Sequence, residues 1–196
     1  MAPPVLAFTS GDPAGVGPET VLAAVSDRRL RRRCRVVLVG EVSVWKRAGW
    51  RPGLAPLRDT RLGLRPPPLG RETSAGGVLS FASASEALRL VATGLADGLM
   101  TAPISKTGWK AAGVGFPDHT EWLRARTGRE AEMVLASPSQ GLLCVTATRH
   151  LPLKAALAAL TPRKVEGAAR ALAGALALRG KTRPLLGLCA VNPHAG

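Results

Sequence analysis

Short continuous apolar runs alternate along this chain with stretches whose apolar positions recur every three or four residues. Val5-Leu6-Ala7-Phe8 reads as a strand entering a loop at Gly11-Asp12-Pro13. Pro18 and Glu19 then open a helix reaching about Val25, because proline suits the first helical position and an acid the first turn. Val36 to Val39, closed by Gly40, has the unbroken hydrophobicity of a strand buried on both faces, as in a parallel sheet. From Trp50 to about Leu69 proline, glycine and arginine dominate without periodicity, which predicts a long surface loop. Phe81, Ala84, Leu88, Val91 and Leu95 mark an amphipathic helix ending before Gly98. Leu99-Met100-Thr101 is a short strand leading into Ala102-Pro103-Ile104-Ser105-Lys106, and a helix starts near Asp118 and runs through Leu123 and Ala125. Glu132 to Ala136 and Leu142 to Thr146 read as strands, and Thr161 and Pro162 begin a helix with Val165, Ala169, Leu172 and Leu176 on one face. Leu185 to Val191 completes the pattern as a last strand. Strands alternating with helices predict an α/β fold, a mostly parallel sheet with right-handed crossovers and helices on both faces.

At 196 residues and 46% hydrophobic content the chain can bury a core. No window approaches the roughly 18 apolar residues needed to span a bilayer, and Met1-Ala2-Pro3-Pro4 lacks the basic flank of a signal peptide, so a cytoplasmic protein without a membrane partner is expected. Cys34, Cys144 and Cys189 lie far apart in apolar runs, which reads as three buried small hydrophobes rather than a disulfide or paired-cysteine zinc framework. The net charge of +14 suits an anionic substrate or a nucleic acid. Its densest cluster, Arg28 to Arg35, contains no aromatic residue for base stacking and reads as a solvated connection, so nucleic acid is the weaker reading.

Ligands of open α/β sheets bind beyond the carboxyl ends of the strands. Applied to this pattern, the rule selects the Gly11 loop, the Thr101 to Lys106 loop, His150 and His194, all expected at one sheet edge. The first of these, with Gly11, Asp12, Gly15 and Gly17, could present backbone amides to an anion, although it matches neither a P-loop nor a dinucleotide fingerprint and could equally be a tight turn. His150 and His194 are imidazoles after predicted strands, with prolines nearby, and could ligate a metal or be ordinary structural histidines. Asp118-His119-Thr120-Glu121 offers polar groups at a helix start, where capping alone would explain the two acids. Lys106 could meet a phosphate or simply be solvated.

Five segments in order resemble the 4-hydroxythreonine-4-phosphate dehydrogenase family (PdxA) of vitamin B6 biosynthesis. They are Gly11 to Glu19, Thr101 to Lys106, His119-Thr120-Glu121, His150-Leu151-Pro152-Leu153 and Asn192-Pro193-His194-Ala195-Gly196. The resemblance implies an isocitrate/isopropylmalate-dehydrogenase-like fold with two lobes around a cleft, a first lobe over residues 1–116 and the N-terminal part of a second over 117–196. It implies NAD- or NADP-dependent oxidation and decarboxylation of 4-phosphooxy-threonine by a homodimer. His150 and His194 would then be two of three histidines holding a divalent metal, zinc first with magnesium or cobalt as alternatives, and the third would come from the partner subunit. His119, Thr120 and Lys106 would bind the phosphorylated substrate.

The family usually has glycine where this chain has Asp118. Most of the cofactor-binding segment is expected beyond Gly196, so the chain reads as an N-terminal portion, inactive as it stands. Alternatives are a relative acting on a phosphorylated sugar acid or a cis-dihydrodiol, a basic nucleic-acid-binding protein, and a metal-binding remnant without turnover.

Overall fold

The computed structural model describes residues 2–192. Contacts divide the chain into two compact units, one ending at Trp122 and the other beginning at Leu123.

The first unit is built on a four-stranded sheet of β1 (Val5–Thr9), β2 (Arg35–Val39), β3 (Leu57–Arg58) and β4 (Gly98–Met100), in the order β3-β2-β1-β4. All pairings are parallel, with Val5 opposite Arg35, Thr9 opposite Val39 and Leu6 opposite Gly98. Successive side chains of a strand leave opposite faces of the sheet, and both faces are apolar here. Phe8 and Leu38 pack on one face against Val21, Leu22 and Val25 of α1 (Gly17–Ser26) and Trp45 of α3 (Val42–Arg47). Ala7 and Val39 pack on the other face against Ala87 and Leu90 of α4 (Ser74–Ala92). The unbroken run Val36 to Val39 thus meets helices on both sides, as its sequence predicts. Burial of side chains such as Leu38 and Val25 contributes roughly 1.5–3 kcal/mol each.

Helix α4 starts earlier than its periodicity suggests, capped by the Thr73 hydroxyl, which accepts from the Gly76 amide at 3.1 Å. Its buried stripe is Gly76, Gly77, Leu79, Ser80, Ser83, Ala84, Ala87 and Leu90, and not the stripe of larger residues through Phe81 and Leu88. Leu95 falls outside the helix and is exposed. The small residues win the buried face because α4 must approach closely to α5 (Lys106–Ala111) and to the sheet; a methyl on Gly77 would collide with the Gly108 carbonyl. The Arg28 to Arg35 cluster is divided between α2 (Arg28–Arg31), where Arg29 pairs with Asp27 at 2.8 Å, and the start of β2.

Helix α6 (His119–Thr127) reaches the second unit, which holds β5 (Val134–Ser137), β6 (Leu142–Val145), α7 (Leu153–Ala159) and α8 (Pro162–Ala177). β5 and β6 pair antiparallel in their own two-stranded sheet, so the expected extension of the parallel sheet through these runs is corrected: a connection of four residues permits a hairpin, whereas a parallel pair needs a longer crossover. The Thr161 hydroxyl caps α8 at the Lys164 amide, and Gly180 takes a positive φ after it, as the sequence signals indicate. The strand expected over Leu185 to Val191 does not form: among the described residues no strand pairs with this segment, and Leu185 and Leu188 are exposed. Two of the three cysteines also depart from expectation. Cys34 is buried, but Cys144 and Cys189 are exposed: Cys144 shares with Leu142 the open face of β6, opposite the partly covered Leu143 and Val145, and Cys189 lies in the irregular segment. No described helix is long and apolar enough to cross a membrane.

Substituting Gly77→Ala should lower the stability of the first unit by about 1–3 kcal/mol, because the added carbon overpacks the α4 to α5 contact. All four tryptophans lie in this unit, so their fluorescence in a urea titration reads the change, and an unaltered midpoint would mean that α5 moves aside without cost.

Candidate functional site

Where a parallel strand ends, its last amides and carbonyls lose their ladder partners and must find others. In the first unit the buried Ser83 hydroxyl of α4 donates to the Val39 carbonyl at 2.7 Å and accepts from the Ser10 amide at 2.9 Å, tying the ends of β2 and β1 together. The buried Thr9 hydroxyl accepts from the Ala102 amide at 3.0 Å, which fixes the exit of β4 to β1. Above this layer the Gly11 loop folds onto the Pro103 loop through the Asp12 amide and the Pro103 carbonyl, 2.8 Å apart.

Gly11 has φ +63, and a side chain there would collide with the Pro103 carbonyl; a methyl on Gly17 would come within 2.7 Å of the Ser10 carbonyl. Both glycines are therefore required by conformation and close approach. Gly15 is different, since a methyl there would meet nothing nearer than Asp12 at 3.6 Å. The Asp12 carboxylate accepts from the Ala14 amide at 3.0 Å, and the Ala14 carbonyl accepts from Gly70 at 2.8 Å. Arg47 staples the loop from outside: its guanidinium donates to the Pro13 carbonyl and, at 2.5 Å, to the Pro67 carbonyl. At the start of α1, Val16 supplies no side-chain cap and Pro18 has no amide to donate.

Lys106 is exposed at the first position of α5, three residues beyond Pro103, with Ser105 capping the Gly108 amide at 2.8 Å. An ammonium in a first turn works against the helix dipole, so it adds positive potential without stabilising the helix. Trp109 of the same helix meets His119 edge to face, ring centres 5.4 Å apart, and His119 also meets Trp122 at 6.4 Å. Phe81 closes this aromatic group at 5.4 Å from Trp109, whose indole donates to the Ser80 hydroxyl. The His119 Nε2 is buried without a hydrogen-bond partner among the described residues, and burial lowers the imidazole pKa below its usual value against the opposing pull of Asp118. Asp118 caps α6, its carboxylate accepting from the Glu121 amide at 3.0 Å. Thr120 is half-buried in the first turn.

The structure thus joins Gly11, Asp12, Gly15 and Gly17 to the loop leading to Lys106, and brings His119 to the helix that Lys106 begins. His150 follows a strand of a different sheet in the second unit, so the expectation that it shares the edge of the Gly11 loop fails: that expectation assumed one continuous parallel sheet. His150 is exposed with a left-handed φ of 52, a conformation that histidine adopts more readily than most residues and that concentrates at functional sites. Its neighbour Arg149 is paired with Glu132 at 2.9 Å. His194 lies outside the described residues, and among those described no group of three or more histidine, cysteine, aspartate or glutamate side chains could hold a metal.

The family described as pyridoxal phosphate biosynthetic protein PdxA matches residues 21–196. The chain belongs to the PdxA family. It is 34% identical over 215 aligned residues to a 4-hydroxythreonine-4-phosphate dehydrogenase of Synechocystis sp., covering 100% of this chain and 62% of that protein. It is 31% identical to a D-threonate 4-phosphate dehydrogenase of Cupriavidus necator, over 98% of this chain and 63% of the other. Among solved structures, a 4-hydroxythreonine-4-phosphate dehydrogenase from Burkholderia phymatum superposes with a TM-score of 0.84 at 28% identity, covering 100% of this chain and 65% of its own. This PdxA-family chain therefore spans a little under two thirds of the length of the relatives it matches.

Arg47, Ser83 and Trp109 organise the site and escape sequence reasoning. Ser80, Ser83 and Ser85 in a helix of small residues were a faint signal. Arg47 gave none, since its two carbonyl partners are 34 and 20 residues away.

Two outcomes follow for this PdxA-family chain. Arg47→Met should leave the Pro13 and Pro67 carbonyls to water and cost about 1–3 kcal/mol, seen as faster hydrogen exchange at Asp12 to Gly17 than elsewhere in the first unit. Because the folded pKa of His119 is lowered, the unfolded chain takes up its proton first, so stability should be constant above the ordinary histidine pKa of about 6.5 and fall as pH drops below it. Unfolding midpoints against pH, compared with His119→Phe, isolate that slope.

Proposed function

We propose that this sequence serves an NAD- or NADP-dependent dehydrogenase that oxidises and decarboxylates 4-phosphooxy-threonine in the making of pyridoxal 5'-phosphate. Support comes from family membership, and the observation that carries the reading is the docking of the Gly11 loop on the Pro103 loop at the carboxyl edge of a parallel sheet, with Lys106 beside it. Each part has a task in that chemistry. The Lys106 ammonium, beside the turn before α1, attracts the substrate phosphate. His119, kept neutral by burial, can accept as well as donate a hydrogen bond, and with Thr120 it would orient the substrate. The Arg47 staple and the Ser83 bridge hold the loop in place before substrate arrives, which lowers the ordering cost of binding.

The nicotinamide, when bound, accepts hydride. His150 fits as an exposed imidazole donor, and with His194 and a histidine of a second subunit it would hold a divalent cation, zinc before magnesium or cobalt. Bound there, the metal would polarise the reacting oxygen. The homodimer, the two-lobe division at residues 116 and 117, and a cytoplasmic setting belong to the same proposal. A second reading, oxidation of D-threonate 4-phosphate, is favoured by the Cupriavidus necator relative.

NADH formation by the protein carrying this sequence, assayed with both phosphorylated substrates and with 4-hydroxy-L-threonine itself, tests the proposal. Turnover is expected only with a phosphorylated substrate, and Lys106→Ala should raise its KM about tenfold, the equivalent of one charge-assisted hydrogen bond. His150→Ala should abolish zinc retention in equilibrium dialysis. Zinc retention unchanged by His150→Ala, or equal turnover of the unphosphorylated alcohol, would defeat the reading.

A further inference from the structure

Away from the Gly11 and Pro103 loops, on the far edge of the first unit's sheet, a cavity of about 590 Å³ opens between the loop after β3 and one face of α4. The α4 residues that line it, Ala82, Ser85, Glu86 and Arg89, are spaced three and four apart and form a single ridge. Arg58, at the end of β3, and Arg61, in the loop after it, line the opposite side.

The loop is built with more care than an ordinary surface turn. The buried Glu41 carboxylate accepts from the Leu62 amide at 2.8 Å and from the Thr60 hydroxyl at 3.3 Å. The Asp59 carboxylate accepts from the Arg61 and Val42 amides, each at 3.2 Å. Between these anchors Arg61 takes a φ of 53, a left-handed conformation that an arginine rarely adopts and that the flanking bonds enforce. Two acids are thus spent on backbone amides to hold an exposed arginine in an unfavourable backbone state at the mouth of a cavity.

The charges in the cavity are only partly balanced. Glu86 receives the Arg58 Nε at 2.6 Å and a fork from Arg89, its Nε at 2.7 Å and its terminal amine at 2.8 Å. These two guanidiniums hold the Glu86 carboxyl down at about 2, so it stays ionised and one carboxylate serves two cations. Arg58 engages Glu86 through Nε alone and is more than half exposed, which leaves its terminal amines available. Arg61 has no side-chain ion pair among the described residues. The surplus is positive, and guanidinium forks match the tetrahedral oxygens of a phosphate. The volume exceeds that of a bare anion and lies in the range of small-molecule sites, with Leu57, Leu62 and Ala82 offering apolar surface to an organic body.

We propose that this cavity is a second anion site, one that binds an organic phosphomonoester through Arg58 and Arg61, with Glu86 and Arg89 fixing the approach of Arg58. The site lies two strands from β1, on the side away from β4, so it does not share the loops assigned above to the substrate.

The test is a nuclear magnetic resonance titration of the isotope-labelled chain with glycerol 3-phosphate, using glycerol as the uncharged control. Saturable shifts are expected at residues 58–62 and 85–89 with the phosphate and not with glycerol. Arg61→Gln and Arg58→Gln should each weaken this binding about tenfold while leaving the spectrum elsewhere in the fold unchanged, and Lys106→Ala should leave it as it is. Equal binding by the two arginine variants, or shifts confined to residues 11–17 and 101–106, would overturn the proposal; those shifts alone would locate the phosphate at the Gly11 loop and leave the proposed function standing.

Discussion

The first unit depends on how the ends of its parallel strands are closed. Inside the sheet β1 is paired by β2 from Val5 to Thr9 and by β4 from Leu6 to Phe8, but at Thr9, Ser10 and Val39 the ladder stops in a buried place where water cannot substitute. The Ser83 hydroxyl resolves this by donating to one strand end and accepting from another, and the Thr9 hydroxyl accepts the Ala102 amide at the exit of β4. A buried hydroxyl can do both at once because it carries one hydrogen and two lone pairs. The loops that follow inherit fixed starting points, so the Gly11 turn meets Pro103 in one register.

The small residues of α4 serve the same end. Glycine, alanine and serine along its buried stripe let the helix approach the sheet and α5 closely enough for Ser83 and Ser80 to reach their partners. Close approach at Gly77 sets the position of α5, and α5 carries both Lys106 and Trp109. Trp109 in turn packs against His119, so a chain of contacts runs from a glycine contact to an imidazole whose protonation is suppressed by burial. Asp118 spends its carboxylate on the Glu121 amide of α6.

Electrostatics in this chain is a matter of local pairing more than of the net charge of +14. The dense Arg28 to Arg35 cluster has Arg29 held by Asp27 and Arg31 donating to the Leu54 carbonyl. The arginines that matter are isolated in the sequence. Arg47 spends its donors on two proline carbonyls, and Arg58 and Arg89 share one carboxylate. The second unit presents a different picture, with a hairpin, two helices and leucines at 153, 178, 185 and 188 exposed among the described residues.

The sequence by itself determined the α/β class, the strands at Val5 and Val36, the capped helix from Thr161, and a resemblance to the family that the comparison over residues 21–196 bears out. Those features are local: a period of apolar positions, a cap, a glycine or proline at a fixed offset. It misassigned the hairpin to the parallel sheet and the Leu185 to Val191 run to a strand, because an apolar run names a tendency to pair and says nothing about which partner exists. Only the tertiary structure decided that Ser83 closes the sheet, that Arg47 clamps Pro13 across 34 residues, and that the face of α4 through Gly77, Ser80, Ser83 and Ala87, rather than the one through Phe81 and Leu88, is buried. Each of those choices is made by packing distance and unsatisfied backbone groups between segments far apart in the chain, and no pattern within a segment encodes them.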